Sequence, residues 1–302
     1  MLDIRGIMIE GNKPFLAIIG PTASGKTAIS LDIAHQINGE IICADSRTIY
    51  KYMDIGTAKP TRSERQAVKH HLLDVIEPNE ILSAARFRRL AEAAAIEIWA
   101  RGHVPIMVGG SGLYIDSVLY SFDFPPPPPP SLRSELNDLP LPELVQRLHA
   151  ADPERASKLD LHNKRRVVRA LETLDVGSGQ RQALLPGSFV IGMSLNKDIA
   201  RKRITSRVEK MLSQGFIEEV ERIGTMYGWD SPAMNVIGYR AFKPVVLGEV
   251  SEQVGKHNFV QGDMALFKKQ QTWFKRNEDV VWVDNAHEVA DEVIRYMARW
   301  QV

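Results

Sequence analysis

This 302-residue chain predicts an α/β fold: a P-loop NTPase-like parallel sheet core with helices on both faces and a small all-α insertion domain. Three observations carry that expectation. Short β-branched apolar runs alternate with helical patterns through the first third, the arrangement of a parallel sheet covered on both sides. One run, LAII at residues 16–19, breaks into GPTASGKT and then into a helical pattern. After Leu119 strand signals cease, and a proline-rich stretch leads into sequence with helical periodicity alone.

The elements follow in order. Residues 14–19, 40–44, 72–75 and 104–108 read as buried strands. The helix from Lys26 carries Ile29, Ile33 and Ile37 on one face. The helix from Ser83 carries Phe87, Leu90, Ala91, Ala94 and Ile98 until Gly102 stops it. Six consecutive prolines, residues 125–130, cannot donate to a ladder and predict a stiff polyproline II spacer between domains. From Ser131 to about Gly179 the pattern is helical, marked by Leu136, Leu144, Leu148, Val167, Val168, Leu171 and Leu174. Residues 189–195 return to the sheet, and residues 280–284 form a last strand before a closing helix. The expected division is a core of residues 1–122 and 186–302 with a helical insertion of residues 123–185.

Composition excludes several classes. With 44% hydrophobic and 25% charged residues the chain can build a substantial core, and disorder is not its default. The single cysteine, Cys43, excludes a disulfide framework and suggests a reducing compartment; in its apolar run it reads as a small buried residue. No apolar run reaches the roughly 20 residues that span a bilayer, and the first ten residues lack a signal-peptide layout. A soluble, cytoplasmic protein is expected. A net charge of only +1 requires any nucleic-acid affinity to come from local patches.

The chemistry starts at GPTASGKT. Gly20 and Gly25 let successive N–H groups converge on phosphate oxygens, and the following helix N-terminus favours an anion. Lys26 would neutralise phosphate, and Thr27 would place a hydroxyl on Mg²⁺. The motif does not say which phosphate compound it holds. Ligands of open α/β sheets bind where the strands end, which singles out Asp45 and Ser46 after the second strand and VGGSGLY, with Ser111, after the fourth. Asp45 could hold Mg²⁺ through water or accept a proton from a nucleophile; helix capping alone fits it least. MDIGTAKP, residues 53–60, suggests a lid.

Two basic patches follow. Lys164, Arg165, Arg166 and Arg169 crowd one helix whose apolar side is Val167, Val168 and Leu171, and such crowding favours a polyanionic partner. In FKKQQTWFKRN, Lys268, Lys269, Lys275 and Arg276 interleave with Phe267, Trp273 and Phe274, which suits RNA stacking, although a core role for some rings competes. His70 and His71 lack the spacing of a structural zinc site.

The series GPTASGKT, ADSRTIYKYMDIGTAKP, HHLLDVIEP, PIMVGGSGLYIDSVL, KRRVVRALET, VIGYRAF and QQTWFKR, in this order, resembles the tRNA dimethylallyltransferases, also called tRNA isopentenyltransferases. That resemblance implies transfer of the dimethylallyl group of dimethylallyl diphosphate to N6 of adenine 37 in tRNAs reading codons that begin with U. It also implies Mg²⁺ and a contact with the anticodon stem-loop. By resemblance Asp45 is the base. The donor lies on Gly20, Pro21, Thr22, Ala23, Ser24, Gly25, Lys26 and Thr27, with Lys197 replacing an arginine that often reaches the diphosphate. The tRNA contacts are Asp45, Ser46, Arg47, Thr48, Ser111, Arg133, Arg165, Arg166, Val167, Val168, Arg169, Asn235, Val236, Ile237, Gly238, Tyr239 and Arg240.

Besides Lys197, three further departures stand out: Ser111 where the family commonly has Thr, Asn235 where a relative can carry Arg, and no proline before Lys164. No zinc-finger extension follows the core, which points to a bacterial-type enzyme. A monomer is expected, because a 33.9 kDa chain needs no second subunit for a tRNA-sized ligand. The rival readings are a transferase that prenylates free adenine nucleotides, a P-loop small-molecule kinase, and a non-enzymatic RNA-binding regulator.

Overall fold

The computed structural model describes residues 13–122, 124–125, 128–174 and 181–300. The leader reading of the first ten residues, Pro126 and Pro127 of the proline run, and residues 175–179 of the predicted helical stretch lie outside the described residues. The chain forms two compact units, Met1–Tyr120 with Leu184–Val302, and Ser121–Ala183.

The larger unit is built on six strands: β1 (Phe15–Ile19), β2 (Gly39–Ala44), β3 (His70–His71), β4 (Val104–Gly109), β5 (Ser188–Met193) and β6 (Val280–Val283). They lie in the order β3-β2-β4-β1-β5-β6, and every pair is parallel. Side chains alternate across the sheet. Phe15, Ala17 and Ile19 enter one core with Ile42 and Ala44, whereas Leu16 and Ile18 enter the other with Ile41 and Cys43. Both faces are therefore buried, which is why these strands read as continuous apolar runs.

The helices of this unit are α1 (Lys26–Gln36), α2 (Arg62–Ala67), α3 (Ala84–Ala100) and α4 (Gly112–Leu119) before the insertion. After it come α9 (Lys197–Ser213), α10 (Phe216–Tyr227), α11 (Ile237–Val246), α12 (Glu252–Phe274) and α13 (Ala286–Met297). Ser83 caps α3 by accepting from Arg86 N, so the predicted start holds to one residue.

One predicted strand is wrong. Residues 72–75 do not extend, because Leu72 (φ 63°) and Asp74 (φ 56°) take left-handed backbone. The Asp74 carboxylate is drawn to Lys59 at 2.6 Å and Arg65 at 3.4 Å, and only His70 and His71 pair with β2. The apolar residues that suggested a strand instead pack from a bend.

The smaller unit contains α5 (Pro130–Asp138), α6 (Leu141–Ala151), α7 (Pro153–Lys158) and α8 (Lys164–Glu172) around Leu136, Leu144, Leu148, Val167 and Val168. The proline run is not wholly a spacer. Pro130 opens α5, a position where its missing N–H costs no helical bond. Three of the four helices carry Pro in their first turn.

Candidate active site

The pairing register brings three strand ends to one level: Ala44 lies opposite Gly109, and Gly109 opposite Ile19. The loops that follow must therefore share one crevice. Gln270 of α12 ties two of them, accepting from Thr22 N (2.7 Å) and donating to the Gly110 carbonyl (2.9 Å). A Cβ on Gly110 would stand 2.3 Å from the Gln270 amide, so only glycine admits this bridge. Ser111 ties the third loop, its Oγ accepting from Ser46 N at 2.8 Å.

The GPTASGKT segment turns through Gly25 at φ 92° into α1. This helix start has no side-chain cap and no acidic residue in its first turn. Its N–H groups and dipole are left to an anion. Lys26 Nζ donates to the Pro21 carbonyl (2.7 Å) and Ser24 Oγ (3.2 Å), both neutral. Burial lowers its pKa to about 7; Asp45 opposes this, and Arg207 and Arg47 add to it. A cation held at such a cost is stabilised by an incoming anion.

Asp45 follows β2 with a quarter of its side chain exposed. Its Oδ1 accepts from Arg47 N at 2.8 Å and faces Arg47 Nε at 3.5 Å. Among the described residues no group hydrogen-bonds Oδ2. Arg47 continues to Asp263 (3.2 Å), which is fully buried and also holds Arg207 (2.5 Å). Asp45 is thus oriented by a chain of alternating charges while one oxygen stays open. Cys43 lines the same cavity, but burial and Asp45 push its thiol up to about 12, so it is no nucleophile at neutral pH.

These groups line one cavity of about 610 Å³, within the range of small-ligand sites. Thr22, Ala23, Ser24, Gly25, Lys26, Thr27, Asp45, Arg47 and Thr48 all reach it. Arg203 and Arg207 of α9 reach it as well, Arg203 also donating to the Ala23 carbonyl at 3.1 Å.

Other sequence expectations need correction. Lys197 is the exposed first residue of α9 and is not among the cavity-lining residues, whereas Arg203 and Arg207 of the same helix are. Val167 and Val168 fill the core of the smaller unit, and Val236, Gly238 and Tyr239 are buried in the larger one. Their side chains are packing elements within motifs whose exposed members are Arg165, Arg166, Asn235 and Arg240. Arg133 and Arg169 are not unopposed cations. Both bond Glu172, whose side chain is 1% exposed, Arg133 through two bonds of 2.6 and 2.7 Å. Phe267 and Phe274 are core, while Trp273 is exposed and donates to Asp116 at 2.9 Å. The segment expected as a lid, residues 53–60, is tied down and gives the cavity a wall through Thr57, Ala58 and Pro60.

Sequence reasoning missed Arg203, Arg207, Asp263 and Gln270. The arginines stand four apart on one helix face and Gln270 lies in QQTWFKR, but nothing local says that α9 and α12 pass beside the GPTASGKT loop.

The family model for IPP transferase matches residues 48–277, a span that begins after Asp45 and the GPTASGKT loop. A tRNA dimethylallyltransferase of Exiguobacterium sp. is 40% identical over 280 residues, covering 90% of each chain. One of Bacillus velezensis is 38% identical over 290 residues, covering 92% of each. The crystal structure of the tRNA isopentenylpyrophosphate transferase of Bacillus halodurans superposes with a TM-score of 0.73 at 32% identity, over 95% of this chain and 97% of that one. A eukaryotic dimethylallyltransferase acting on tRNA, 22% identical with a TM-score of 0.75, shares the fold over 90% of this chain and 74% of its own. By sequence over most of its length, and by fold, this chain belongs to the IPP transferase family.

Proposed function

We propose that this chain transfers the dimethylallyl group of dimethylallyl diphosphate to N6 of adenine 37 in tRNA and releases diphosphate. One observation carries the reading: an uncapped helix start with a desolvated lysine, and a carboxylate with one open oxygen, line the same cavity. The first suits a departing diphosphate, and the second suits an amine that must lose a proton.

The C1–O bond of the donor breaks, and its electron pair leaves on the diphosphate. Lys26, the loop amides and the cavity arginines stabilise the charge that develops there. The lone pair of N6 bonds C1, and Asp45 Oδ2 takes the N6 proton. The adenine must leave its stack to reach the cavity, at a cost of a few kcal/mol that contacts to the flanking loop offset. The helical insertion, residues 123–185, is assigned to tRNA with Arg165 and Arg166 as its exposed cations; Ser46, Arg47, Asn235 and Arg240 are assigned from the core.

Mg²⁺ fits the residues present. Thr27 and Asp45 bring hard oxygen donors to one cavity, and among the described residues no group of three His, Cys, Asp or Glu competes for it. Held through Thr27, the ion would neutralise diphosphate charge.

The test uses labelled dimethylallyl diphosphate with unmodified tRNA carrying A36 and A37, and AMP in parallel. Prenylated tRNA without prenylated AMP is expected. Equal transfer to AMP would favour the free-nucleotide enzyme, and γ-phosphate transfer from ATP without the allylic donor would favour a kinase. Among the described residues no helix is long and apolar enough to cross a membrane.

A further inference from the structure

Glu219 of α10 is 2% exposed, yet it does not face the cavity. Its Oε2 accepts from Asp54 N (2.9 Å) and Ile55 N (3.0 Å), and its Oε1 accepts from Gly56 N (2.9 Å) and Tyr239 Oη (2.5 Å). Four donors converge on one buried group. Only a carboxylate accepts on both oxygens; an amide would turn an N–H against another donor.

The surroundings are shaped for this contact. A Cβ on Gly56 would lie 2.2 Å from the Phe216 ring and 2.7 Å from the Tyr239 ring, so the Gly56 amide reaches Glu219 only without a side chain. A second clamp grips the same segment. Lys59 Nζ, its side chain 1% exposed, bonds Asp54 (2.7 Å), Asp74 (2.6 Å) and the Tyr50 carbonyl (2.8 Å). Between the two clamps the loop carries Thr57 and Ala58 to the cavity wall.

We propose that Glu219, assisted by Tyr239, is a positioning residue that fixes this wall and so keeps water from the allylic carbon. The inference rests on the transfer reading above. An allylic carbon losing diphosphate reacts with any nucleophile beside it, and a loosened wall admits water. Water would bond C1 as the C1–O bond to diphosphate breaks, its proton passing to solvent, to give dimethylallyl alcohol and diphosphate. Tyr239 therefore serves from the core rather than at the tRNA surface.

The test is the partition of labelled donor between alcohol and prenylated tRNA in Glu219→Gln and Tyr239→Phe, with hydrogen exchange at the amides of Asp54, Ile55 and Gly56. The ratio is independent of the folded fraction, so a merely structural loss would not move it. In Glu219→Gln the alcohol-to-tRNA ratio is expected to rise about tenfold, as loss of one charged hydrogen bond allows, with faster exchange at the three amides. Tyr239→Phe keeps the backbone bonds and is expected to change the ratio about twofold; it decides the matter by the same readout if Glu219→Gln does not fold. An unchanged ratio, or unchanged exchange, overturns the proposal. Should the unaltered protein yield neither alcohol nor prenylated tRNA, the transfer reading fails by itself, and faster or unchanged exchange still decides the clamp.

Discussion

Two carboxylates mark opposite ends of β2, and they are treated in opposite ways. Glu40, near the strand's start, is 3% exposed and saturated: Arg101 donates two bonds (2.8 and 2.9 Å), His71 and His103 lie at 2.6 and 2.8 Å, and Lys69 at 3.8 Å. Asp45, just past the strand's end, has one arginine on one oxygen, and it lines the cavity. The start of the strand spends its acid on holding the fold, while the end keeps acceptor capacity for a ligand. That division follows from the parallel sheet, where crossover loops leave the carboxyl ends of the strands as the open side.

The sharpest way to break this contrast is to remove one charge at each end. Asp45→Asn is expected to slow single-turnover prenyl transfer by about 10²–10⁴, the range of a lost general base, while tRNA affinity and thermal stability hold. A loss under tenfold would strip Asp45 of the role of base. Glu40→Ala should do the reverse. It leaves the Arg101 guanidinium and the His71 and His103 rings without their acceptor and is expected to cost about 2–3 kcal/mol in denaturant unfolding, with turnover per folded molecule unchanged.

The same contrast can be read by acid. Burial alone would raise the Glu40 carboxyl, but hydrogen bonds from Arg101 and His71 hold it at about 2 against an ordinary 4.5. The folded pKa is the lower one. Its contribution is therefore complete above about 4.5 and is lost as pH falls toward about 2. After allowance for solvent screening this amounts to about 1–2 kcal/mol. Unfolding free energy measured across that interval is expected to fall more steeply than in Glu40→Gln; parallel curves would show that Glu40 is not the group titrating.

What the sequence made legible follows the same line. The loop of GPTASGKT and the alternating strands depend on local spacing, so β1, β2, β4, β5 and β6 and the start of α1 stand where expected. The Asp45 strand end follows from topology that βαβ order alone dictates. Arg207 and Asp263, 56 residues apart, meet only through the packing of α9 on α12, and no local pattern carries that information. The bend at Leu72 was hidden for a similar reason, since Lys59 and Arg65 reach Asp74 across a loop. Charge clusters misled most. KRRVVR reads as four competing cations, whereas Glu172, next on the same helix, already engages one of them.

That last point gives the smallest expected effect and the finest discrimination. Arg165 is exposed and has no hydrogen bond or ion pair among the described residues, whereas Arg169 bonds Glu172 (3.2 Å) and the Pro125 carbonyl (3.4 Å). A cation already paired to a carboxylate displaces fewer counterions when a phosphate arrives. Arg165→Ala is therefore expected to flatten the dependence of log tRNA affinity on log salt by roughly 0.7–0.9, and Arg169→Ala by clearly less, with some loss of stability in its place. Binding isotherms at four or five salt concentrations separate the two. Equal slopes would mean that tRNA draws Arg169 away from Glu172, and the pairing seen in the free protein would then mark a contact exchanged on binding.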